Sequence, residues 1–226
     1  RWKLRIDYVI AAAAGRPIER IDEPLLAPLR LAVYQLLFLD RVPGYAVVSE
    51  AVDEARRRAP RAAGFVNAVL RRVSRAASLD DWPVEAGNPI ERLAIETSHP
   101  RFLVERWLGA FGDERVRALL DANNRRQSYQ LLAFRDRGGR EELARRLAED
   151  GVETEPLELS ELALEVTTGY PLSTSAYRDG DLYVQDQASQ VAAWIPPATP
   201  GERVLDAAAA PGGKSFALLA AEPSVR

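Results

Sequence analysis

One stretch of the chain has residue types and spacing suited to binding a small ligand: LDAAAAPGGKS, residues 205–215. The apolar run RVLDA leads into it and predicts a buried strand that ends near Asp206. Small residues and two glycines follow, which let the backbone turn tightly and let a ligand approach closely. GKSFALLAA then predicts a helix whose first N–H groups and positive dipole end point at the loop. A strand, a loop and a helix in this order are typical of nucleotide and cofactor sites.

Three interpretations of this loop compete on pattern alone. A phosphate-binding P-loop, G-x-x-x-x-G-K-[ST], fits the tail Gly213-Lys214-Ser215, but alanine occupies position 208, where the first glycine belongs. Pro211 would also remove one of the N–H groups that bind phosphate. The dinucleotide motif G-x-G-x-x-G does not occur in the stretch, and a plain turn between a strand and a helix stays open.

The loop resembles the S-adenosylmethionine-binding motif of the RNA cytosine-5 methyltransferases, D-x-C-A-A-P-G-G-K-T. The resemblance implies S-adenosyl-L-methionine as the cofactor. The residues that it places against the cofactor are Ala208, Ala209, Ala210, Pro211, Gly212, Gly213 and Lys214. Two positions depart from the motif, since Ala208 replaces the usual cysteine and Ser215 replaces the usual threonine. Both side chains are small, so we expect the affinity for the cofactor to be altered rather than abolished.

Other stretches resemble the same family. GDLYVQDQASQVAA (residues 180–193) is similar to the segment before the cofactor domain, and residues 98–124 are similar to the family's linker. LRLAVYQLLFLDRVPGYAVVSEAVDEAR and GFVNAVLRR resemble the NusB-like helical domain that precedes the methyltransferase in the bacterial enzymes of 16S ribosomal RNA. The resemblance therefore covers nearly the whole chain, and it implies that the family's first helices lie upstream of Arg1.

No residue of this chain is assigned to catalysis. Methyl transfer to C5 of cytosine needs a nucleophile that adds to C6, and the family uses a cysteine thiolate for this step. The chain has no cysteine, and the resemblance places the catalytic cysteines beyond Arg226, so we expect residues 1–226 alone to be inactive. Without cysteine there is no disulfide framework and no Cys-ligated metal site. Because His99 is the only histidine, we expect no metal.

Charge is distributed unevenly along the chain. Residues 1–80 carry 14 Lys and Arg against 9 Asp and Glu, a balance of +5, whereas residues 81–226 carry 16 against 24, a balance of −8. Two groups of arginines in the basic part are candidates for phosphate contacts with 16S ribosomal RNA. They are Arg56, Arg57, Arg58 and Arg61, followed by Arg71, Arg72 and Arg75. An ordinary solvated helix face explains both groups equally well on sequence alone.

Helical periodicity dominates the first half of the chain. EPLLAPLRLAVYQLLFLD places Leu25, Leu29 and Val33 on one apolar stripe, and two further segments repeat this period, which predicts a helical bundle. After residue 129, YQLLAFR, LALEVT and DLYVQD predict short strands, while GREELARRLAEDG and QASQVAAWI predict helices. A proline-rich connector at residues 196–202 leads to the loop.

These patterns predict a multidomain α and α/β protein. We expect an all-α NusB-like RNA-binding bundle at residues 1–78, a helical linker at 79–128, and the N-terminal part of a Rossmann-like S-adenosylmethionine-dependent methyltransferase domain at 129–226. The expected activity is methylation of a cytosine C5 in 16S ribosomal RNA, and the alternative is a non-catalytic NusB-type RNA-binding protein. No apolar run is long enough to cross a bilayer and no signal peptide opens the chain. We therefore expect a cytoplasmic monomer without membrane contacts.

Overall fold

The chain divides into two compact units, residues 1–125 and 126–226. The structure is a computed structural model that describes residues 1–76, 78–125, 127–195 and 197–226. Pro196, the first residue of the expected connector, lies outside the described residues. The division falls close to the end of the helical segment expected to be a linker, so most of that segment lies with the N-terminal helices.

The N-terminal unit is helical. Its described α-helices are α1 (Lys3–Ala14), α2 (Glu23–Phe38), α3 (Gly44–Arg58), α4 (Ala63–Val73), α5 (Pro89–Glu96), α6 (Arg101–Phe111) and α7 (Asp113–Asn124). The apolar stripe predicted in α2 is confirmed, because Leu25, Leu29 and Val33 are all buried. They pack in one core with Ile10 of α1 and Leu70 of α4. Four amphipathic helices thus share a single interior, as expected for a bundle.

A smaller cluster follows the bundle within the same unit. Leu93, Val104 and Leu120 of α5, α6 and α7 are buried against one another. Trp82, four residues beyond the expected domain end at 78, is only 9% exposed and packs in the core of the bundle. The hydroxyl of Ser98 accepts a hydrogen bond of 2.9 Å from the backbone N–H of Leu4. A hydrogen bond from the backbone of α1 to the side chain of Ser98, which follows α5, therefore connects the bundle to the second cluster.

The C-terminal unit contains an antiparallel sheet of four described strands in the order β2-β3-β1-β4. Its strands are β1 (Gln130–Ala133), β2 (Glu153–Pro156), β3 (Ala163–Thr168) and β4 (Leu182–Val184). Its described α-helices are α8 (Gly139–Glu149), α9 (Ser175–Arg178), α10 (Gln187–Ala193) and α11 (Gly213–Ala221). The strands and helices predicted after residue 129 are thus confirmed, apart from the segment before the loop.

Successive side chains of the central strand β1 point to opposite faces of the sheet, and a helix covers each face. Leu131 and Ala133 are buried on one side in a cluster that includes Leu147 of α8. Leu132 is buried on the other side with Ala217 and Ala220 of α11. Successive side chains of a strand point to opposite faces, so a single apolar run can bind a helix on each side. The helix that follows the ligand loop is therefore part of the packing of this sheet.

One predicted strand is absent from the structure, and one observed strand was not predicted. Residues 203–207 form no strand, and Leu205 is 89% exposed. A strand needs neighbours for its backbone groups, and within the described residues this segment has backbone pairing with Arg226 alone. Strand β2, with the sequence ETEP, was not predicted because its residues are polar and it lies at the edge of the sheet. No helix in the part of the chain that the structure describes is long and apolar enough to span a bilayer.

Candidate functional site

The loop at residues 206–215 is held closed by one carboxylate. Oδ1 of Asp206 accepts the backbone N–H of Ala208 at 3.1 Å, and Oδ2 accepts the hydroxyl of Ser215 at 2.8 Å. One side chain thus bonds to the start of the loop and to the first turn of α11. Ser215 supplies the hydroxyl that the related motif obtains from threonine, so this departure from the motif retains the bond donor.

The two glycines of the loop have different roles in its geometry. Gly212 has φ +105°, a conformation that side chains with a Cβ rarely adopt, and a Cβ there would lie 3.1 Å from the ring of Phe216. Gly213 has an ordinary φ, but its Cβ would lie 3.3 Å from Nε2 of Gln185. The sequence predicted that both glycines adopt backbone conformations closed to other residues. In the structure only Gly212 has a positive φ, whereas Gly213 allows the side chain of Gln185 to approach the backbone closely.

The expected cofactor residues form one accessible surface. Ala208, Ala209, Ala210, Pro211 and Lys214 are exposed, and the two glycines are half-buried. Helix α11 begins at Gly213, and no side chain of the described residues caps its N-terminus. Free N–H groups and the positive dipole end of a helix suit a carboxylate or another anion. The accessible backbone and the uncapped helix therefore fit an amino-acid-bearing ligand such as S-adenosylmethionine.

The backbone on either side of α11 is paired in a parallel manner. The N–H of Val204 donates to the carbonyl of Arg226 at 2.9 Å, and the N–H of Arg226 donates to the carbonyl of Glu202 at 2.9 Å. In parallel strands, one residue hydrogen-bonds to the two residues that flank its partner, and Arg226 bonds in this way to Glu202 and Val204. Residues 202–204 and Arg226 are thus paired in parallel on the two sides of α11, although neither segment forms a strand, and the loop follows the first segment.

A buried amide network that sequence reasoning did not identify lies against this loop. The amide of Gln185 donates from Nε2 to the carbonyl of Gly213 at 2.9 Å. Gln190 is fully buried, donates to the carbonyl of Gln185 at 3.1 Å and accepts the hydroxyl of Ser160 at 2.6 Å. Oε1 of Gln185 is buried and has no hydrogen-bond partner among the described residues. The network connects the sheet to the start of α11.

The first arginine group is neutralised by its own helix. Arg56 forms an ion pair of 2.6 Å with Asp53, while Arg57 and Arg58 both bond to Glu54. Hydrogen bonds from these two guanidinium groups hold the pKa of Glu54 below its usual range. Most of the positive charge of this group is therefore compensated locally.

The second group is different. Arg71, Arg72 and Arg75, together with Arg61, form no ion pair with any carboxylate of the described residues. Arg71 bonds to the amide oxygen of Asn67 at 3.2 Å, and Arg72 reaches the carbonyl of Ala13 at 3.4 Å. These guanidinium groups retain their charge for an external anion.

The lone histidine has a structural environment. Nδ1 of His99 lies 2.7 Å from the carbonyl of Thr97, and its ring meets Trp107 edge-on with 6.0 Å between ring centroids. Asn124 also donates to the carbonyl of Thr97, at 2.7 Å. No group of three His, Cys, Asp or Glu side chains in the described ranges is arranged to hold a metal ion.

Two family models match parts of the chain. The NusB family matches residues 1–75, and the ferredoxin-like domain of the RsmF/B-like methyltransferases matches residues 99–173. The second match includes α6, α7 and the antiparallel strands β1 to β3, which explains why this sheet is not the parallel sheet of a Rossmann-like domain. The chain thus combines a helical segment similar to the NusB family with a segment similar to the ferredoxin-like domain of RsmF/B-like methyltransferases.

Whole-chain comparisons agree with this class. The chain is 33% identical over 214 residues to the probable ribosomal RNA small subunit methyltransferase B of Bacillus subtilis, a match of 94% of this chain and 47% of the relative. It is 38% identical over 217 residues to the ribosomal RNA small subunit methyltransferase B of Xylella fastidiosa, with 93% and 47% covered. The chain is thus similar to small-subunit ribosomal RNA methyltransferases, and it spans about half the length of the curated relatives it matches.

A solved structure is similar over the same extent. The crystal structure of PH0851 matches with a TM-score of 0.72 and 29% sequence identity, covering 95% of this chain and 48% of that one. A methyltransferase homologue from Pyrococcus horikoshii, at 22% identity and a TM-score of 0.51, shares the fold over 58% of this chain.

Proposed function

We propose that this chain is the RNA-binding and cofactor-loop part of an S-adenosylmethionine-dependent methyltransferase that modifies a cytosine C5 in 16S ribosomal RNA. The observation that carries the proposal is the parallel pairing of Val204 and Glu202 with Arg226 around α11. In α/β folds, ligands bind at the carboxyl ends of parallel strands, in the loop that leads to the next helix. The 206–215 loop occupies this position.

Residues of the loop would hold the cofactor through its amino-acid part and its adenosine part. S-adenosylmethionine supplies a methyl group from a positively charged sulfonium when it is bound. The first N–H groups of α11 would bind the carboxylate, and residues 208–211 would present backbone rather than side chains to the ligand. Asp206 would keep the loop in one conformation before binding, since both of its oxygens are bonded to it.

The chain's own residues supply binding and orientation but not the C6 nucleophile. The sequence contains no cysteine, and no step of cytosine addition is therefore assigned to it. We expect residues 1–226 to bind S-adenosylmethionine weakly and to give no methyl transfer.

The fold also changes the predicted domain bounds 1–78, 79–128 and 129–226. The cofactor-binding part would begin after β4, since the preceding strands form their own antiparallel sheet.

RNA would bind to the helical unit through the arginines that have no carboxylate partner among the described residues. Arg71 and Arg75 of the second group and Arg61 of the first group are exposed and keep their charge, whereas Arg56, Arg57 and Arg58 would contribute less. Removing one arginine that binds a phosphate should reduce the slope of log affinity against log salt by roughly 0.7 for single-stranded RNA. This slope is a direct measure of which arginine group binds RNA.

Calorimetric titration tests the proposal on the complete gene product and on residues 1–226. Binding of S-adenosylmethionine but not of ATP by the complete protein, with methyl transfer to unmodified 16S ribosomal RNA, is the expected result. ATP binding would refute it in favour of a P-loop. Salt-sensitive RNA binding without any cofactor binding would support the non-catalytic alternative. Methyl transfer by residues 1–226 alone would contradict the absence of a nucleophile.

A further inference from the structure

A groove of about 740 Å³ lies between α3 and α4 in the helical unit. Three arginines line it, Arg56, Arg71 and Arg75, and no carboxylate of the described residues does. Tyr45, Ser49, Asn67 and Ser74 add hydrogen-bonding groups. A concave surface with fixed positive charge and several neutral hydrogen-bonding groups suits a polyanion better than an apolar ligand.

The two ends of the groove differ in their free charge. Arg56 is paired with Asp53 at 2.6 Å, so one end is partly neutralised. At the other end, Arg71 lies in the last turn of α4 and Arg75 lies two residues beyond it, and neither is paired with a carboxylate in the described part of the chain. Because α3 and α4 are joined by four residues and run antiparallel, the N-terminus of α3 lies at this end beside the C-terminus of α4, and their opposite dipole ends offset each other. The excess positive charge at this end is therefore that of the two guanidinium groups. Anionic groups should therefore bind preferentially beside Arg71 and Arg75.

An aromatic side chain stands at the same end. Tyr45 is the second residue of α3 and is 81% exposed. Exposed aromatic rings beside arginines form stacking surfaces for unpaired bases, which are recognised through their faces, while the cations bind the backbone. A duplex keeps its bases stacked on one another and cannot use such a ring.

We propose that the α3–α4 groove binds an unpaired nucleotide of RNA, with its base on Tyr45 and its phosphate between Arg71 and Arg75. This inference rests on the proposed RNA-binding function and specifies its target as single-stranded rather than helical RNA. The juxtaposition of an exposed ring with two uncompensated guanidinium groups carries it. An acidic peptide would satisfy the charges but would leave the ring without a partner.

Fluorescence anisotropy on residues 1–226 tests this inference with a labelled single-stranded 12-nucleotide RNA and the corresponding duplex. Tyr45→Ala should weaken single-strand binding about 5- to 150-fold without changing the salt slope, because stacking is not ionic. Arg75→Gln and Arg71→Gln should each weaken binding and lower the salt slope by roughly 0.7. Tyr45→Phe retains the ring and should bind like the unsubstituted chain.

Arg117→Gln is the matched control, because this guanidinium lies on helix α7 of the same unit, is exposed, is paired with Asp113 and is absent from the groove lining. It should change the affinity less than twofold. Equal weakening by Arg117→Gln and Arg75→Gln would overturn the inference, as would no effect of Tyr45→Ala. Equal binding of the duplex, or displacement of RNA by an oligoglutamate at similar concentration, would also overturn it and leave RNA binding standing. If the unsubstituted chain binds no RNA, the proposed RNA-binding function fails as well.

Discussion

Gln190 offers the sharpest test of how the sheet supports the loop. Replacing it with leucine removes the amide that joins Ser160 to the carbonyl of Gln185. Both former partners stay in the interior, since Ser160 is 1% exposed and Gln185 is 9% exposed. A buried polar group left without a partner costs ~1–3 kcal/mol. These two costs are offset in part by the apolar burial of leucine, about 2 kcal/mol.

We therefore expect Gln190→Leu to destabilise the C-terminal unit by about 2 kcal/mol, roughly a 30-fold fall in its ratio of folded to unfolded molecules. Because the chain has two units, a single unfolding curve would mix their transitions. Hydrogen exchange of the amides of α10 and β1, followed by mass spectrometry, isolates the free energy of opening of the affected unit. Ser189→Ala, an exposed neighbour on α10, is the control and should change this free energy by less than ~0.5 kcal/mol.

A double-mutant cycle separates the hydrogen bond from general disturbance of the core. Ser160→Ala alone leaves Oε1 of Gln190 without its donor, whereas Ser160→Ala combined with Gln190→Leu removes both partners. The double substitution should cost less than the sum of the single ones, because it leaves fewer unpaired groups. A destabilisation below ~1 kcal/mol for Gln190→Leu, or strict additivity in the cycle, would refute the reasoning.

Two further predictions concern the loop and the pH response. Gly212→Val should strain the backbone, because valine rarely adopts a positive φ, and should bring the side chain into contact with Phe216. We expect the affinity of the complete gene product for S-adenosylmethionine, measured by calorimetry, to fall about tenfold. Gly109→Ala is the control and should leave this affinity unchanged, because a Cβ at that position meets nothing within 4 Å. Hydrogen bonds from the backbone N–H and hydroxyl of Ser175 hold the pKa of Asp150 below its usual value, so its stabilising contribution is present above about pH 4 and is lost as pH falls further. Asp150→Asn should flatten the fall in melting temperature measured between about pH 6 and pH 3, and an identical fall in both proteins would contradict this assignment.

Much of the helical unit was predictable because its residues repeat at helical spacing. Leu25, Leu29 and Val33 form one stripe in the sequence and one buried face in the structure. The compensation of the first arginine group was also readable, since Asp53 and Glu54 lie three and four residues before their partners, the spacing at which helical side chains meet. On sequence alone these arginines were candidates for phosphate contacts, with an ordinary solvated helix face as the equal alternative, and the neighbouring Asp53 and Glu54 were not considered.

The rest depends on contacts that sequence spacing does not encode. Ser160 and Gln190 are thirty residues apart and meet only through the sheet. The expected burial of Leu205 assumed a strand surrounded by other strands, whereas its segment pairs with Arg226 at the end of the chain. The motif predicted which residues make the loop, but the role of Gln185 against Gly213 follows only from the fold.

The packing of α11 on the sheet has a consequence for anyone who wishes to study the ferredoxin-like segment in isolation. Leu132 and Leu162 are covered on one face by Ala217 and Ala220, which come from far downstream in the chain. A protein shortened before residue 203 would present these leucines to water as an open apolar surface. Such a fragment should self-associate or precipitate, so that expression boundaries drawn from the domain match alone would cut through a shared interior.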